Sequence, residues 1–427
     1  MSLAKNFCPS PWFHARINNN GTFEYCRWGP SSQKQDIENN IKNQSPIQWF
    51  QQGAMKNIRA MMLEGQSPSG CKKCLLQEQH GKISGRLRQL LKIGVTVDDF
   101  EKTMLSSPWF EEIKNSQDGK IELLPQDWQI DLGNFCNSGC LMCSPHFSSY
   151  LATEFYKLKL INQIPPRAWC HDPELLSKFI DLIKASPHLV YLHFIGGETL
   201  ITPAFKIILQ SLIEVGLHKS VTIGFTTNLT TWNQEIVDLL SNFHSVNLGL
   251  SIECVHPLNE YVRYGSNLSD TMEIIEKWID VSDKLSWLVQ IRITPSVLTI
   301  WHLDTIYDWA KTKRVSIESC DFLTTPEFMR ISLLPPDLRD KIIQKLSRFI
   351  VDSDNNELLI NTRDPAQQQK QMTQDVQSYI NYLRNQSDET FRLPELVKYL
   401  KIMETSRKNC ILDYLPEYEK FLRSGGY

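Results

Sequence analysis

The chain has 427 residues, 41% hydrophobic and 22% charged, an ordinary composition for a soluble protein with two or three domains. A net charge of −3 excludes an overall basic footprint for nucleic acid, although it leaves room for a local basic patch. No stretch has the length and apolarity of a membrane span or the form of a secretion signal; eleven cysteines in such a chain point to metal ligation in a reducing compartment, expected to be the cytoplasm.

Residues 1–90 hold Cys8, Cys26, Cys71 and Cys74. Cys8 sits in FCPSPW, and Cys26 closes an expected hairpin over 13–25, turned at Asn19, Asn20 and Gly21. An amphipathic run (Ile47, Trp49, Phe50, Met55, Ile58, Met61, Met62) leads to GCKKC, where two lysines separate Cys71 from Cys74. Four thiolates so arranged suit a structural zinc ion or a fully ligated iron–sulfur cluster, and spacing does not separate the two. Residues 77–91 read as a helix start interrupted by glycines. Lys82, Arg86 and Arg88 lie close together there, the pattern of a solvated face; the other reading has Arg86 or Arg88 reaching a substrate or a cluster sulfide. Residues 91–126 are expected to be a helical linker with a Ser-Ser-Pro break at 106–108.

From 127 to 325 the pattern repeats as strand, helix, strand. Expected strands are 128–133, 190–195, 221–227, 246–252, 288–294 and 315–319, with helices at 173–185, 204–215 and 268–281 among the connections. Strands alternating with helices imply a parallel sheet. These strands alternate in polarity, where parallel strands covered on both faces read as continuous apolar runs. Val246, Leu248, Leu250 and Ile252 oppose Asn247, Gly249, Ser251 and Glu253; Val289, Ile291 and Ile293 oppose Gln290, Arg292 and Thr294. The apolar faces must meet the helices, so the polar faces are expected to line a lumen that holds a polar ligand. Beyond 326 the chain turns helical. One stripe begins at Pro335-Pro336, a polar stretch spans 352–357, and helices are expected near 372–384 and 393–406.

The centre of the pattern is WQIDLGNFCNSGCLMCSP, residues 128–145. It places Cys136, Cys140 and Cys143 in a C-x3-C-x2-C loop directly after the first strand of the repeat. Three soft ligands leave one iron of a four-iron cube open to a chelating molecule. With Asn137 and Met142, this loop resembles the signature of the radical S-adenosylmethionine (SAM) enzymes, and the six strand–helix units resemble their partial (β/α)6 barrel. The resemblance implies an α/β fold with a 4Fe–4S cluster on Cys136, Cys140 and Cys143. It also implies SAM bound there, its reductive cleavage to a 5′-deoxyadenosyl radical, and hydrogen abstraction from a polar substrate: a peptide, sugar, nucleotide or nucleic-acid base. An electron donor such as flavodoxin or ferredoxin is implied as partner.

Gly196-Gly197-Glu198 after the second strand resembles the family's GGE motif, in which the backbone and Glu198 would hold the methionyl ammonium. By the same resemblance Ser251 and Glu253 contact the SAM ribose or carboxylate. Arg263 can clamp that carboxylate or stack on its tyrosine neighbours. Asn228 ends the third strand at the cofactor's level. Arg292 is the strongly charged lumen residue and needs Glu253, Glu318 or an anionic ligand to answer it. His14, His146 and His193 are read as structural. The N-terminal cysteines resemble SPASM and twitch domains, which carry auxiliary 4Fe–4S clusters but usually follow the barrel; here they precede it. The expected organisation is a cluster domain at 1–90, a linker at 91–126, the barrel at 127–325 and a helical extension at 326–427. The rival reading is a non-catalytic scaffold binding zinc or iron–sulfur.

Overall fold

The structure, a computed structural model, describes residues 6–27, 38–96, 100–107, 109–116, 118–319, 322–350 and 365–427. The polar stretch 352–357 and the proline of the 106–108 break lie outside the described residues. The strands are β1 (His14–Ile17), β2 (Phe23–Glu24), β3 (Asp127–Asp131), β4 (Gly139–Cys140), β5 (Tyr191–Ile195), β6 (Thr222–Thr227), β7 (Ser245–Ser251), β8 (Arg263–Tyr264), β9 (Leu288–Ile293) and β10 (Ser316–Ser319). Eight of them form one sheet in the order β10-β9-β7-β6-β5-β3-β1-β2. The six strands expected from the repeat, β3, β5, β6, β7, β9 and β10, stand side by side in chain order, all parallel. The protein is therefore α/β, with the winding of a partial (β/α)6 barrel.

The connecting helices form where their sequences carry caps and an apolar stripe. Pro173–Lys184 starts with proline in its first turn, and the Asp172 carboxylate accepts from Glu174 N and Leu175 N. Leu268–Leu285 is capped by Asn267 and buries Thr271, Ile274, Ile275, Trp278 and Ser282, a three- and four-residue spacing that lays one face on the sheet. The apolar faces of the strands meet these helices. Phe205 stacks 4.9 Å from Phe194 of β5 and 5.4 Å from Phe225 of β6, while Trp278 lies 5.8 Å from Phe225. Each such ring, fully buried, contributes roughly 1.5–3 kcal/mol.

The sheet is strongly curved. Arg292 Nη1 of β9 lies 3.4 Å from His193 Nε2 of β5, with β6 and β7 between them. The helix Gly85–Lys92 fills the gap between the two flanks of this arc. Arg88 pairs with Glu318 on β10, and one turn later Lys92 Nζ lies 2.5 Å from Asp127 Oδ2 on β3. The basic cluster of this region is thus no solvated face. Lys82 (3% exposed) pairs with Asp375, and Arg86 (6% exposed) pairs with Glu78.

The expected hairpin is present, with Arg16 opposite Glu24 and Ile17 opposite Phe23. It does not stand apart from the barrel: β1 pairs in parallel with β3, so the N-terminal segment extends the same sheet. At the other end of the chain, Pro336–Ser347 and Leu393–Arg407 follow the expected boundaries, while the helix expected near 372–384 is longer and spans Pro365–Asn385. No helix among the described residues is long and apolar enough to cross a membrane.

Candidate active site

β3 ends at Asp131, whose Oδ1 accepts from Gly133 N at 2.9 Å; Gly133 has a φ of +101°, a conformation that favours glycine. The cysteine loop begins there and is pinned at several points. Ser149 Oγ accepts from Cys136 N at 3.2 Å and donates to Cys136 O at 3.1 Å, and Ser148 Oγ donates to Ser138 O at 2.7 Å. Cys140 lies on β4, which pairs antiparallel with β8 so that Cys140 faces Arg263 and Gly139 faces Tyr264. All three cysteines are half-buried, and Met142 packs half-buried against the core. Burial foremost, and the neighbouring thiols after it, push Cys143 up to about 12; burial likewise pushes Cys136 up to about 11. Three thiols crowded in this way keep their protons unless a metal cation replaces them.

Gly196 and Gly197 lie directly against this loop. Gly197 N donates to Gly133 O at 2.6 Å, and Glu198 N donates to Phe135 O at 2.8 Å. The approach is so close that a Cβ on Gly197 would lie 2.3 Å from Phe135 O. Glu198 is turned inward and has no exposed surface. Its Oε1 accepts from Leu200 N (3.0 Å) and Thr227 Oγ1 (2.8 Å), and its Oε2 accepts from Asn228 N (2.6 Å). Three protein donors thus hold Glu198, because burial obliges a carboxylate to find partners. Glu198 ties the end of β6 to the glycine turn.

Asn228 stands where the sequence placed it. Its Nδ2 lies 3.0 Å from Asn137 Oδ1, 3.0 Å from Ser138 Oγ and 3.8 Å from Cys136 Sγ. Ser251 ends β7 half-buried, opposite Arg292. Glu253 accepts from Arg263 Nη1 at 2.9 Å and from Thr294 N at 2.9 Å. Arg263 is thus an ion-paired residue beside Cys140 and Cys136, whose thiols are among the groups acting on it, and not a surface stacking partner.

Arg292 is answered by Glu318, at 3.0 Å, and its Nη1 donates to Thr226 Oγ1 at 2.9 Å. It lies across Gly249, where a Cβ would come within 2.5 Å of its Cδ and Nε. A guanidinium only donates, so His193 Nε2 must be the lone-pair nitrogen. The imidazole proton then sits on Nδ1, 3.1 Å from the Tyr191 hydroxyl. Burial, aided by Arg292, lowers His193 to about 3 and keeps it neutral. Burial alone would raise Glu318, but Arg292 and Arg88 outweigh it and hold it at about 2. The sequence reading missed Tyr191 and His193 as lumen residues. It also missed Arg407 and Tyr399 of the C-terminal helix, which contact the cysteine loop: Arg407 Nη2 donates to Gly139 O at 2.7 Å, and Tyr399 Oη to Leu141 O at 3.1 Å.

The N-terminal cysteines also gather. Cys8 and Cys71 act on each other, as do Cys71 and Cys74, and Tyr25 stands among Cys8, Cys26 and Cys71. Arg86, donating to Phe7 O at 3.2 Å, faces Cys8 and Cys71. Among the described residues, no three His, Cys, Asp or Glu side chains converge closely enough to bind one metal ion.

Residues 130–310, from within β3 to within the helix Leu303–Lys313, match the family model of the radical SAM superfamily. No curated protein matches the chain. Among solved structures, Streptococcus suis SuiB bound to S-adenosylmethionine aligns with a TM-score of 0.39 and 13% identity, covering 69% of this chain and 63% of that one. Native anSMEcpe with bound AdoMet aligns at 0.37 and 19%, covering 52% and 59%. The radical SAM methyltransferase TsrM from Kitasatospora setae, with tryptophan and a SAM analogue bound, aligns at 0.32 and 13%, covering 45% and 35%. The chain thus spans less than two thirds of the length of each.

Proposed function

Since residues 130–310 match the family model of the radical SAM superfamily, we propose that this chain is an enzyme in which Cys136, Cys140 and Cys143 hold a 4Fe–4S cluster that binds SAM. Bound there, the pair supplies radical chemistry that abstracts hydrogen from a substrate. The carrying observation is the close approach of two loops at the C-terminal end of a curved parallel sheet, with Gly197 against the backbone of Phe135. That contact brings a three-thiol loop and a glycine turn to one place, which a scaffold has no need of.

The remaining work falls to the protein's own groups. The Arg263–Glu253 pair keeps a compensated positive charge beside Cys140. Asn228 holds Asn137 and Ser138 and orients the loop around Cys136. The Arg292 network occupies the lumen below, where Arg292 is held by Glu318 and Thr226, and a substrate is positioned above it. Cys8, Cys26, Cys71 and Cys74 are assigned to a second, fully thiolate-ligated 4Fe–4S cluster of SPASM or twitch type, serving electron transfer or structure. An electron donor of the flavodoxin or ferredoxin kind is the partner this chemistry requires, and the substrate is a polar molecule or a peptide.

The test is anaerobic reconstitution with iron and sulfide, followed by reductant and SAM. Formation of 5′-deoxyadenosine is expected; its absence from a protein that carries its full iron would overturn the assignment.

A further inference from the structure

The cysteine loop is held from outside the barrel. Helix Leu393–Arg407 ends on Arg407, whose side chain is 1% exposed although it carries a full charge. Its Nε and Nη2 donate to the two oxygens of Glu154 at 3.1 and 2.7 Å, and Nη2 also donates to Gly139 O at 2.7 Å. The guanidinium lies 4.4 Å over the ring of Tyr264, the residue opposite Gly139 in the β4–β8 ladder. Gly139 is required for this fit, since a Cβ there would lie 2.8 Å from Arg407 Nη2. Tyr399 of the same helix donates to Leu141 O at 3.1 Å. The carbonyls on both sides of Cys140 are therefore claimed by one C-terminal helix.

One atom of this constellation is unanswered. Arg407 Nη1 is buried and has no hydrogen-bond acceptor. Leaving a charged donor without a partner in the interior is costly, so an acceptor is missing from the site. The same guanidinium is among the charges acting on the Cys140 thiol. A thiolate-ligated cluster on Cys140 would be anionic, and an anion there is a candidate for the acceptor that Nη1 lacks.

We propose that Arg407 is a positioning residue for the SAM-site cluster. Its fork fixes the backbone at Gly139, and its charge, partly offset by Glu154, favours the more negative, reduced state of the cluster. The proposal rests on the cluster assignment above, and the two are tested separately. The full chain is reconstituted as wild type, Arg407→Met, Arg407→Lys and Glu154→Gln, and the midpoint potential of the SAM-site cluster is measured by redox titration followed by EPR. Iron content and circular dichroism are recorded beside it.

Arg407→Met is expected to shift the potential to more negative values, because a positive charge beside the cluster is lost. Glu154→Gln should shift it to more positive values, because the charge that offsets Arg407 is lost. Arg407→Lys should fall between wild type and Arg407→Met. Structural damage alone would move both charge variants the same way, so opposite signs are the signature of the proposed role. Equal potentials in folded Arg407→Met and Glu154→Gln, or shifts of the same sign, would overturn it. If Arg407→Met does not fold, the sign of the Glu154→Gln shift decides by itself. Absence of a cluster in the wild type refutes the cluster assignment instead.

Discussion

Replacing Gly197 by alanine tests the central contact with a single methyl group. The added Cβ would lie 2.3 Å from Phe135 O, 2.6 Å from Phe135 C and 2.9 Å from Asn134 C. These are backbone atoms, so no change of rotamer relieves the clash. Ordinary contact begins at 3.4 Å, and one loop must therefore retreat by about 1 Å, the difference between the two distances. That movement breaks Gly197 N→Gly133 O at 2.6 Å and Glu198 N→Phe135 O at 2.8 Å. Two hydrogen bonds contribute roughly 0.5–1.5 kcal/mol each, and overpacking adds about 1–3 kcal/mol, so the expected loss is ~2–6 kcal/mol. Urea unfolding of the full chain should show a lower midpoint at unchanged slope. SAM affinity, measured by equilibrium titration of the reconstituted protein, should fall at least about tenfold, because the displaced turn faces the cofactor site. A Gly197→Ala protein with the wild-type midpoint and wild-type affinity would refute the placement of the two loops.

Changing Cys136, Cys140 and Cys143 together to alanine should abolish 5′-deoxyadenosine formation while leaving about four irons per chain on Cys8, Cys26, Cys71 and Cys74; zinc, or no metal, at that group would overturn the auxiliary-cluster assignment. Glu198→Gln sets an amide against three donors and should lower stability by roughly 1.5–3 kcal/mol with iron content unchanged. A loss of SAM affinity without loss of stability would instead show Glu198 serving the ligand. His193 has a folded pKa of about 3, depressed from an ordinary value of 6.5. Below pH 6.5 the unfolded chain binds a proton that the folded one refuses, so stability is lost as pH falls. Between pH 6.5 and 4.5 that loss reaches up to ~1.4 kcal/mol per pH unit for one group, and His193→Gln should lessen it. Identical acid sensitivity in the two proteins, followed by denaturant midpoints at each pH, would remove His193 from the buried network.

The sheet was legible because its strands obey two rules at once. Apolar residues at every second position in β6, β7 and β9 marked the face that meets the helices, and Phe225 and Leu248 lie buried there. Chain-order adjacency then followed from short strand–helix connections. Glu318 as the answer to Arg292 was one of two acids the alternation allowed; Glu253 went to Arg263, ten residues on and just past the short helix Leu258–Val262. Tyr191 and His193 carried the same period-2 signal, in YLHFI, and were readable as lumen residues on that ground. Arg88 and Lys92 were harder. Their helix looked like a solvated face because the acids that bury it lie on β10 and β3, far away in the chain. Arg407 carried no local signal at all, since its partners Gly139 and Glu154 precede it by more than 250 residues.

The polarity of the lumen has a different meaning from the one its sequence suggests. Asp127 is taken by Lys92 and His14, Tyr191 by His193, and Glu318 by Arg292 and Arg88. Gly224 and Gly249 make room for this packing: a Cβ at the first would lie 2.2 Å from the Tyr191 hydroxyl, and at the second 2.5 Å from Arg292 Nε. Asp127–His14 and Glu318–Arg292 join neighbouring strands and Tyr191–His193 lies within one, while Arg292 reaches past β7 to Thr226 and His193, so much of the lumen's polarity is answered within the protein. Arg292 lies opposite Ser251 in register and reaches down to Thr226 and His193, so the lower strand positions are filled by protein. The level above it, at Asn228, Ser251 and Glu253, is the one the proposed function assigns to the ligand, and there Asn228 Nδ2 lies 3.8 Å from Cys136 Sγ.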